Sequence, residues 1–144
     1  MNDARAVKTP SRIRVRIDAR SISAVNDRGN EIRYAVSPSA PGFNPLELLS
    51  ASLGICTAIN LRKELAAIAG NGNASPIELI VECIKAADPP SRVEQLNIAV
   101  HLPDGAAVIA AEELVRRAEA ACTIANTLHA SARVITRLHE DSTN

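Results

Sequence analysis

Aromatic side chains are almost absent from this sequence: Tyr34 and Phe43 carry the two rings, and there is no tryptophan. Proteins that bind single-stranded nucleic acid stack successive bases on aromatic rings, so the composition argues against that class. Hydrophobic residues nevertheless make up 47% of the chain, which is too many for a disordered protein. The core must therefore be built from aliphatic side chains.

Net charge is also lacking, because 16 basic residues balance 16 acidic ones. A neutral chain has no electrostatic attraction to nucleic acid or to an anionic membrane, so neither is predicted as a partner. The sequence has no apolar run of membrane-spanning length and no signal peptide. We therefore expect a soluble, cytoplasmic protein.

Metal and cofactor motifs are missing as well. The three cysteines are widely spaced, and none forms a Cys-x-x-Cys pair of the kind found in zinc ribbons and thioredoxin-like proteins. The three histidines show no spacing typical of zinc ligands. The prediction is no metal, no cofactor and, in a reducing cytosol, no structural disulfide.

Hydrophobic periodicity predicts an α+β fold in the order β-β-β-α-β-β-α-α-β. At 144 residues the chain is expected to be a single domain, residues 1–144, with loose tails at 1–10 and 140–144. Strands are predicted at 12–18, 21–25, 31–36, 77–85, 93–102 and 133–139. Helices are predicted at 45–69, from about 105 to 121, and over the segment CTIANTLH. Arg12, Arg14 and Arg16 alternate with apolar residues and are interpreted as the wet face of the first strand.

The first helix has a clear start signal and an unusual surface. Asn44 suits the N-cap, Pro45 the first helical position and Glu47 the third, which is close to a capping box. Its leucines and isoleucines then point around most of its circumference. A helix that is apolar on nearly all sides is buried on nearly all sides, so we expect a second copy of the chain to supply the missing cover.

The residues alone leave the role of the cysteines open. Cys83 lies in an alternating strand and is interpreted as structural. Cys56 lies too deep in its helix for the helix dipole to activate it, so a reactive Cys56 needs a cation from elsewhere in the fold. Cys56 and Cys122 are therefore either a redox pair or two inert core residues.

Two linked motifs resemble the OsmC/Ohr family of osmotically inducible and organic-hydroperoxide-resistance proteins. The first is NPLELLSASLGICT, and the second, much later, is ACTIANTL. The matching positions are Asn44, Pro45, Glu47, Leu48 and Cys56 in the first motif, and Cys122, Ala125, Thr127 and Leu128 in the second. The order of strands and helices agrees from about residue 12 to residue 139.

The resemblance implies an intertwined homodimer with long central helices wrapped by antiparallel sheets. It also implies thiol-dependent reduction of organic hydroperoxides. Cys56 would be the peroxidatic cysteine, which is oxidised to a sulfenic acid, and Cys122 the resolving cysteine, which closes a disulfide. An external dithiol reductant would then restore both thiols.

In the family an arginine held by a helix-start glutamate supplies the cation. The resemblance places this arginine at Arg20 and the acid at Glu47. Here the sequence departs from the family, because Leu46 directly follows the Asn-Pro pair and the acid comes one residue later. Glu47 is therefore either part of the site or only a cap, and Arg20 either a site residue or a solvated strand-edge side chain. The rival function is a non-enzymatic protein that binds a small apolar ligand or senses redox state at the dimer interface.

Overall fold

The computed structural model describes residues 10–37, 39–69, 76–102 and 108–138. Its elements follow the order β-β-β-α-β-β-α-α, which confirms the predicted α+β class. The predicted loose tails lie outside the described residues, apart from Pro10. Residues 1–48 and residues 49–144 form two compact units.

The first unit contains a three-stranded antiparallel sheet in the order β1-β2-β3. Its strands are β1 (Ile13–Ile17), β2 (Ile22–Asn26) and β3 (Glu31–Arg33). The Asn26 side chain closes the turn between β2 and β3, because its Oδ1 accepts from the backbone N–H groups of Arg28 and Asn30 at 2.9 and 3.0 Å. Both faces of β1 are exposed, whereas the sequence predicted one buried face.

The third strand is shorter than predicted and ends at Arg33 instead of residue 36. Tyr34 then forms an isolated parallel bridge with Phe43. Gly42 makes this close approach possible: it has a φ of 129°, and a Cβ at this position would lie 2.6 Å from the carbonyl oxygen of Arg33. The chain therefore turns back on itself before it enters the first helix.

Helix α1 (Pro45–Ala69) begins where the sequence predicted. The Asn44 side chain accepts from the Glu47 N–H at 2.9 Å, and the Glu47 carboxylate accepts from the Asn44 N–H at 2.8 Å. This is a complete capping box, which satisfies two backbone donors that the first turn leaves free.

In the second unit α1 packs on a two-stranded antiparallel sheet of β4 (Glu78–Lys85) and β5 (Val93–His101). Gly54 allows the close approach, because a Cβ there would lie 3.0 Å from Cγ2 of Val81 on β4. Farther along α1, Leu61 is fully buried against helix α2 (Val108–Ala120). Helix α3 (Thr123–His129) follows α2 almost directly.

In the single chain Ile55 is 61% exposed and Ile59 is 52% exposed on α1, so the cover that the sequence expects from a second copy stays a prediction. The prediction of a final strand is wrong within the described chain. The predicted final strand is not formed over 133–138, and His139 lies outside the described residues. Val134 is the most exposed apolar residue of this segment, at 89%, so it is not packed in a core. A strand also needs a neighbouring strand to satisfy its backbone hydrogen bonds.

Candidate functional site

Cys122 occupies the junction between α2 and α3 and is fully buried. Its extended backbone, with φ −75° and ψ 110°, makes it the N-cap residue of α3. The sulfur accepts a hydrogen bond from the Ala125 N–H at 3.4 Å. The chain thus holds the Cys122 sulfur in one position by local backbone geometry.

Helix α1 brings two further side chains to this sulfur. The Thr57 hydroxyl donates to Cys122 Sγ at 3.7 Å, and the Cys56 thiol is also within hydrogen-bonding reach. Cys56 is half-buried and packs against the apolar cluster that contains Cys122, Leu53 and Ala125. The sequence left open whether Cys56 and Cys122 meet, and the fold brings them together.

These contacts determine the charge state that the Cys122 sulfur favours. Burial has the largest single effect and raises the Cys122 pKa, because an apolar environment disfavours the thiolate. Hydrogen bonds from Ala125, Cys56, Thr57 and Ile124, in that order, act in the opposite direction. Together they outweigh burial, so the pKa of Cys122 lies below its usual range.

The arrangement is suited to thiol–disulfide chemistry. All three cysteines are free, and two of them, the buried Cys122 and the half-buried Cys56, share one apolar cluster. Within the pair, the proximity of Cys56 lowers the pKa of Cys122. Cys83 lies on β4 opposite Leu96 and is half-buried, as expected for a structural residue.

Arg20 and Glu47 both belong to the first unit. Arg20 follows β1 in a turn where its backbone N–H donates to Asp18 Oδ1 at 2.8 Å, and its side chain is exposed. Within the described ranges its guanidinium forms no ion pair. Glu47 is exposed and completes the capping box, so the capping role is observed while a role in chemistry stays a prediction.

A cavity of about 320 Å³ lies beside the cysteine cluster in the second unit. Leu53 and Ala125 belong to both the cavity wall and the cluster. Most of the wall is apolar, and three ionisable side chains also line it: Glu94, Glu119 and His129. The cavity offers room for a small apolar molecule beside the apolar cluster.

Thr57 is the residue of this site that the sequence motifs did not single out. Its only signal in the sequence is a hydroxyl directly after Cys56 in an otherwise apolar stretch. Over the described ranges, no group of three or more histidine, cysteine or acidic side chains could hold a metal ion. None of the helices in the described part of the chain is both long and apolar enough to cross a membrane.

Several solved structures share this fold. An OsmC-like protein from Mycoplasma pneumoniae has a TM-score of 0.72 at 20% identity, with 85% of this chain and 89% of that chain covered. The organic hydroperoxide resistance protein OhrB of Bacillus subtilis has a TM-score of 0.62 at 22% identity, with 83% and 90% covered. An organic hydroperoxide resistance protein OsmC from Legionella pneumophila has a TM-score of 0.64 at 20% identity, with 85% and 90% covered.

At these identities the structural likeness shows the fold alone. No curated protein sequence matches the chain at a significant level. A family model described as OsmC-like protein matches residues 37–137, which is well over half of the sequence and includes both cysteines of the site. The chain therefore belongs to the OsmC-like protein family.

Proposed function

We propose that this protein is a thiol-dependent reductase of organic hydroperoxides that works through Cys56 and Cys122 and protects against oxidative stress. The observation that carries the proposal is the contact of two free cysteines, distant in the sequence, inside one apolar cluster. The family, and the relatives named for organic hydroperoxide resistance, support the same chemistry.

The proposed reaction has three steps. The Cys56 thiolate attacks the terminal oxygen of the hydroperoxide, the O–O bond breaks, and the products are a Cys56 sulfenic acid and an alkoxide, which takes up a proton from solvent to become the alcohol. The Cys122 thiolate then attacks the Cys56 sulfur, the S–S bond forms, the S–O bond breaks, and the released hydroxide takes up a proton to become water. An external dithiol reduces the disulfide by two exchange steps.

Arg20 is proposed to supply the cation that the first step requires. A guanidinium beside a thiolate stabilises the negative charge and can hold a carboxylate at the same time. Its exposed side chain has no ion-pair partner in the described part of the chain, which leaves the guanidinium free for this role. Glu47 is proposed as the carboxylate that orients it.

Substitution of each cysteine tests the mechanism. Cys56→Ser should abolish dithiol-driven consumption of cumene hydroperoxide. Cys122→Ser should allow the first oxidation but stop before the disulfide, which mass spectrometry detects as a sulfenic acid at Cys56. Cys83→Ser is the matched control and should keep full turnover. Turnover by Cys56→Ser at the wild-type rate contradicts the proposal.

Arg20→Ala should slow oxidation of Cys56, with Arg28→Ala as a control because Arg28 is another exposed turn arginine. If the rate of Cys56 oxidation falls equally in both variants, or falls in neither, Arg20 has no role in the mechanism. Arg20→Lys keeps the charge but not the planar fork, and it should restore only part of the rate.

A homodimer is also proposed. Its support is the unusual number of exposed apolar side chains, among them Ile55 and Ile59 on α1 and Val134, Ile135 and Leu138 near the end of the described chain. Exposed apolar surface of this extent marks an interaction site. Sedimentation that gives a monomer at micromolar concentration contradicts it.

Two further expectations belong to this proposal. We propose that residues 1–144 form a single domain, which predicts one cooperative urea transition. Two different probes of unfolding should then give the same urea midpoint. We also propose that the protein acts in the cytoplasm, where dithiol reductants keep cysteines reduced. Separate transitions, or a periplasmic fraction in cell extracts, would contradict these expectations.

The cavity favours a second candidate, in which the protein binds a small apolar ligand without turnover. Isothermal titration with an unreactive alcohol of the same carbon skeleton as cumene hydroperoxide separates the two. Binding of the alcohol together with no consumption of the hydroperoxide supports the second candidate.

A further inference from the structure

We propose that Thr57 is a positioning residue for disulfide closure: its hydroxyl holds the Cys122 sulfur as a hydrogen-bond acceptor beside Cys56. The inference rests on the proposed function, since it concerns the second step of that reaction. In this step the Cys122 thiolate forms the S–S bond with Cys56, while the S–O bond of the sulfenic acid breaks and the released hydroxide takes up a proton to become water.

The environment of Thr57 gives the first argument. Thr57 is 2% exposed and is the one buried polar side chain found within the described ranges. A threonine hydroxyl inside a helix commonly donates to the carbonyl four residues earlier. Thr127 on α3 does so, with its hydroxyl 2.7 Å from the Thr123 oxygen. Thr57 instead donates to a sulfur on a different element, at 3.7 Å.

The chemistry of the bond gives the second argument. A valine has nearly the shape of threonine and suits an apolar cluster, so packing alone does not require a hydroxyl here. A hydrogen bond to a neutral thiol is weak, whereas a bond to an ionised acceptor is roughly twice as strong as a neutral one. The hydroxyl therefore stabilises the form of Cys122 that performs the attack.

Few other side chains in the described part of the chain can influence the charge state of the Cys122 sulfur. From α1, Cys56 is the titratable side chain at the Cys122 sulfur. The side chains that pack on the cluster from β4 and β5 are Val81, Leu96 and Ile98, all of them apolar. Among the described residues, hydrogen bonds and not charges lower the pKa of Cys122 against the opposing effect of burial. Loss of the Thr57 hydroxyl should therefore raise the Cys122 pKa.

The expected kinetic signature is a crossing of two pH profiles. A thiolate becomes more nucleophilic as its pKa rises, with a Brønsted coefficient of about 0.4–0.5. A rise in pKa that lowers the thiolate fraction tenfold is therefore partly offset by an about threefold gain in the reactivity of each thiolate. Below its pKa, Thr57→Val should close the disulfide about threefold more slowly for each tenfold loss of thiolate. Above its pKa, the more basic thiolate of the variant should react faster than wild type.

The experiment uses the full chain. Disulfide closure is followed in a single turnover with cumene hydroperoxide across pH, and Cys122 ionisation is followed by the ultraviolet absorbance of the thiolate in a background of Cys56→Ser and Cys83→Ser. Thr57→Ser keeps the hydroxyl and should behave as wild type. Thr127→Val removes a threonine hydroxyl that does not touch the sulfur and is the matched control.

The outcomes separate the two proposals. Unchanged Cys122 ionisation in Thr57→Val, or an equal slowing of closure at every pH, overturns the role of Thr57. A hydroxyl with only a structural role would change the thermal stability in Thr57→Val without changing the Cys122 ionisation. Thr57→Ser keeps the hydroxyl and therefore separates loss of this hydrogen bond from a general folding defect. If the wild type consumes no hydroperoxide, the proposed function fails, and the ionisation measurement still tests the contact by itself.

Discussion

Gly54 controls how closely α1 approaches β4, and its substitution gives a prediction whose size can be worked out. A Cβ at this position would lie 3.0 Å from Cγ2 of Val81, which is closer than ordinary van der Waals contact. Alanine in place of a helix-interior glycine gains about 1 kcal/mol from helix propensity. Overpacking of a well-packed contact costs about 1–3 kcal/mol. Gly54→Ala should thus lower the free energy of unfolding by about 0–2 kcal/mol.

The contact can be isolated with a double-mutant cycle. Val81→Ala removes the methyl group that the new Cβ meets, so in that background Gly54→Ala should stabilise by about 1 kcal/mol through helix propensity alone. The coupling energy between the two sites should therefore be about 1–3 kcal/mol. Urea unfolding of the wild type, both single variants and the double variant measures it.

A matched pair controls for unrelated effects of the alanines. Ser52 is an exposed position on the same helix, so Ser52→Ala and Val81→Ala should be additive to within about 0.5 kcal/mol. If Gly54→Ala changes the unfolding free energy equally with Val81 and with Ala at position 81, the close approach does not limit packing. The reasoning from the Cβ distance is then refuted.

Three further predictions follow from burial, capping and ionisation. Leu61→Ala should destabilise by about 2–5 kcal/mol because Leu61 is fully buried, whereas Ile68→Ala on the exposed side of α1 should cost far less; similar urea midpoints contradict the assigned core. Asn44→Ala should cost about 1 kcal/mol through loss of the N-cap, while Glu47→Gln keeps both capping bonds and thermal stability; if turnover nevertheless falls, the carboxylate charge acts in the chemistry. The pKa of Cys122 is lower in the folded protein than in the unfolded chain, where a thiol has a pKa of about 8.5. Ionisation of Cys122 therefore adds to the free energy of unfolding above that pH, and this contribution is lost as pH falls through the folded pKa. Under reducing conditions the unfolding free energy of wild type relative to Cys122→Ala should therefore rise from neutral to alkaline pH, and a fall reverses the assigned sign.

Local signals in the sequence were sufficient for most elements. The start of α1 was predictable because the Asn44–Glu47 capping box involves only neighbouring residues. Strands β4 and β5 were predictable from alternation, because one face of each packs on α1. The final strand was predicted wrongly, since the alternation around Val134 reports a tendency to pair but not whether a neighbouring strand is present.

The sequence by itself determined the fold class, the family resemblance and the identity of the candidate cysteines, because these depend on periodicity and on residue types in order. Only the tertiary structure decided that Cys56 and Cys122 meet, since that contact depends on how α1 and the α2–α3 junction pack around one cluster. It also showed that Thr57 faces the Cys122 sulfur and that hydrogen bonds outweigh burial there. These effects arise between residues far apart in the chain, and no local pattern encodes them.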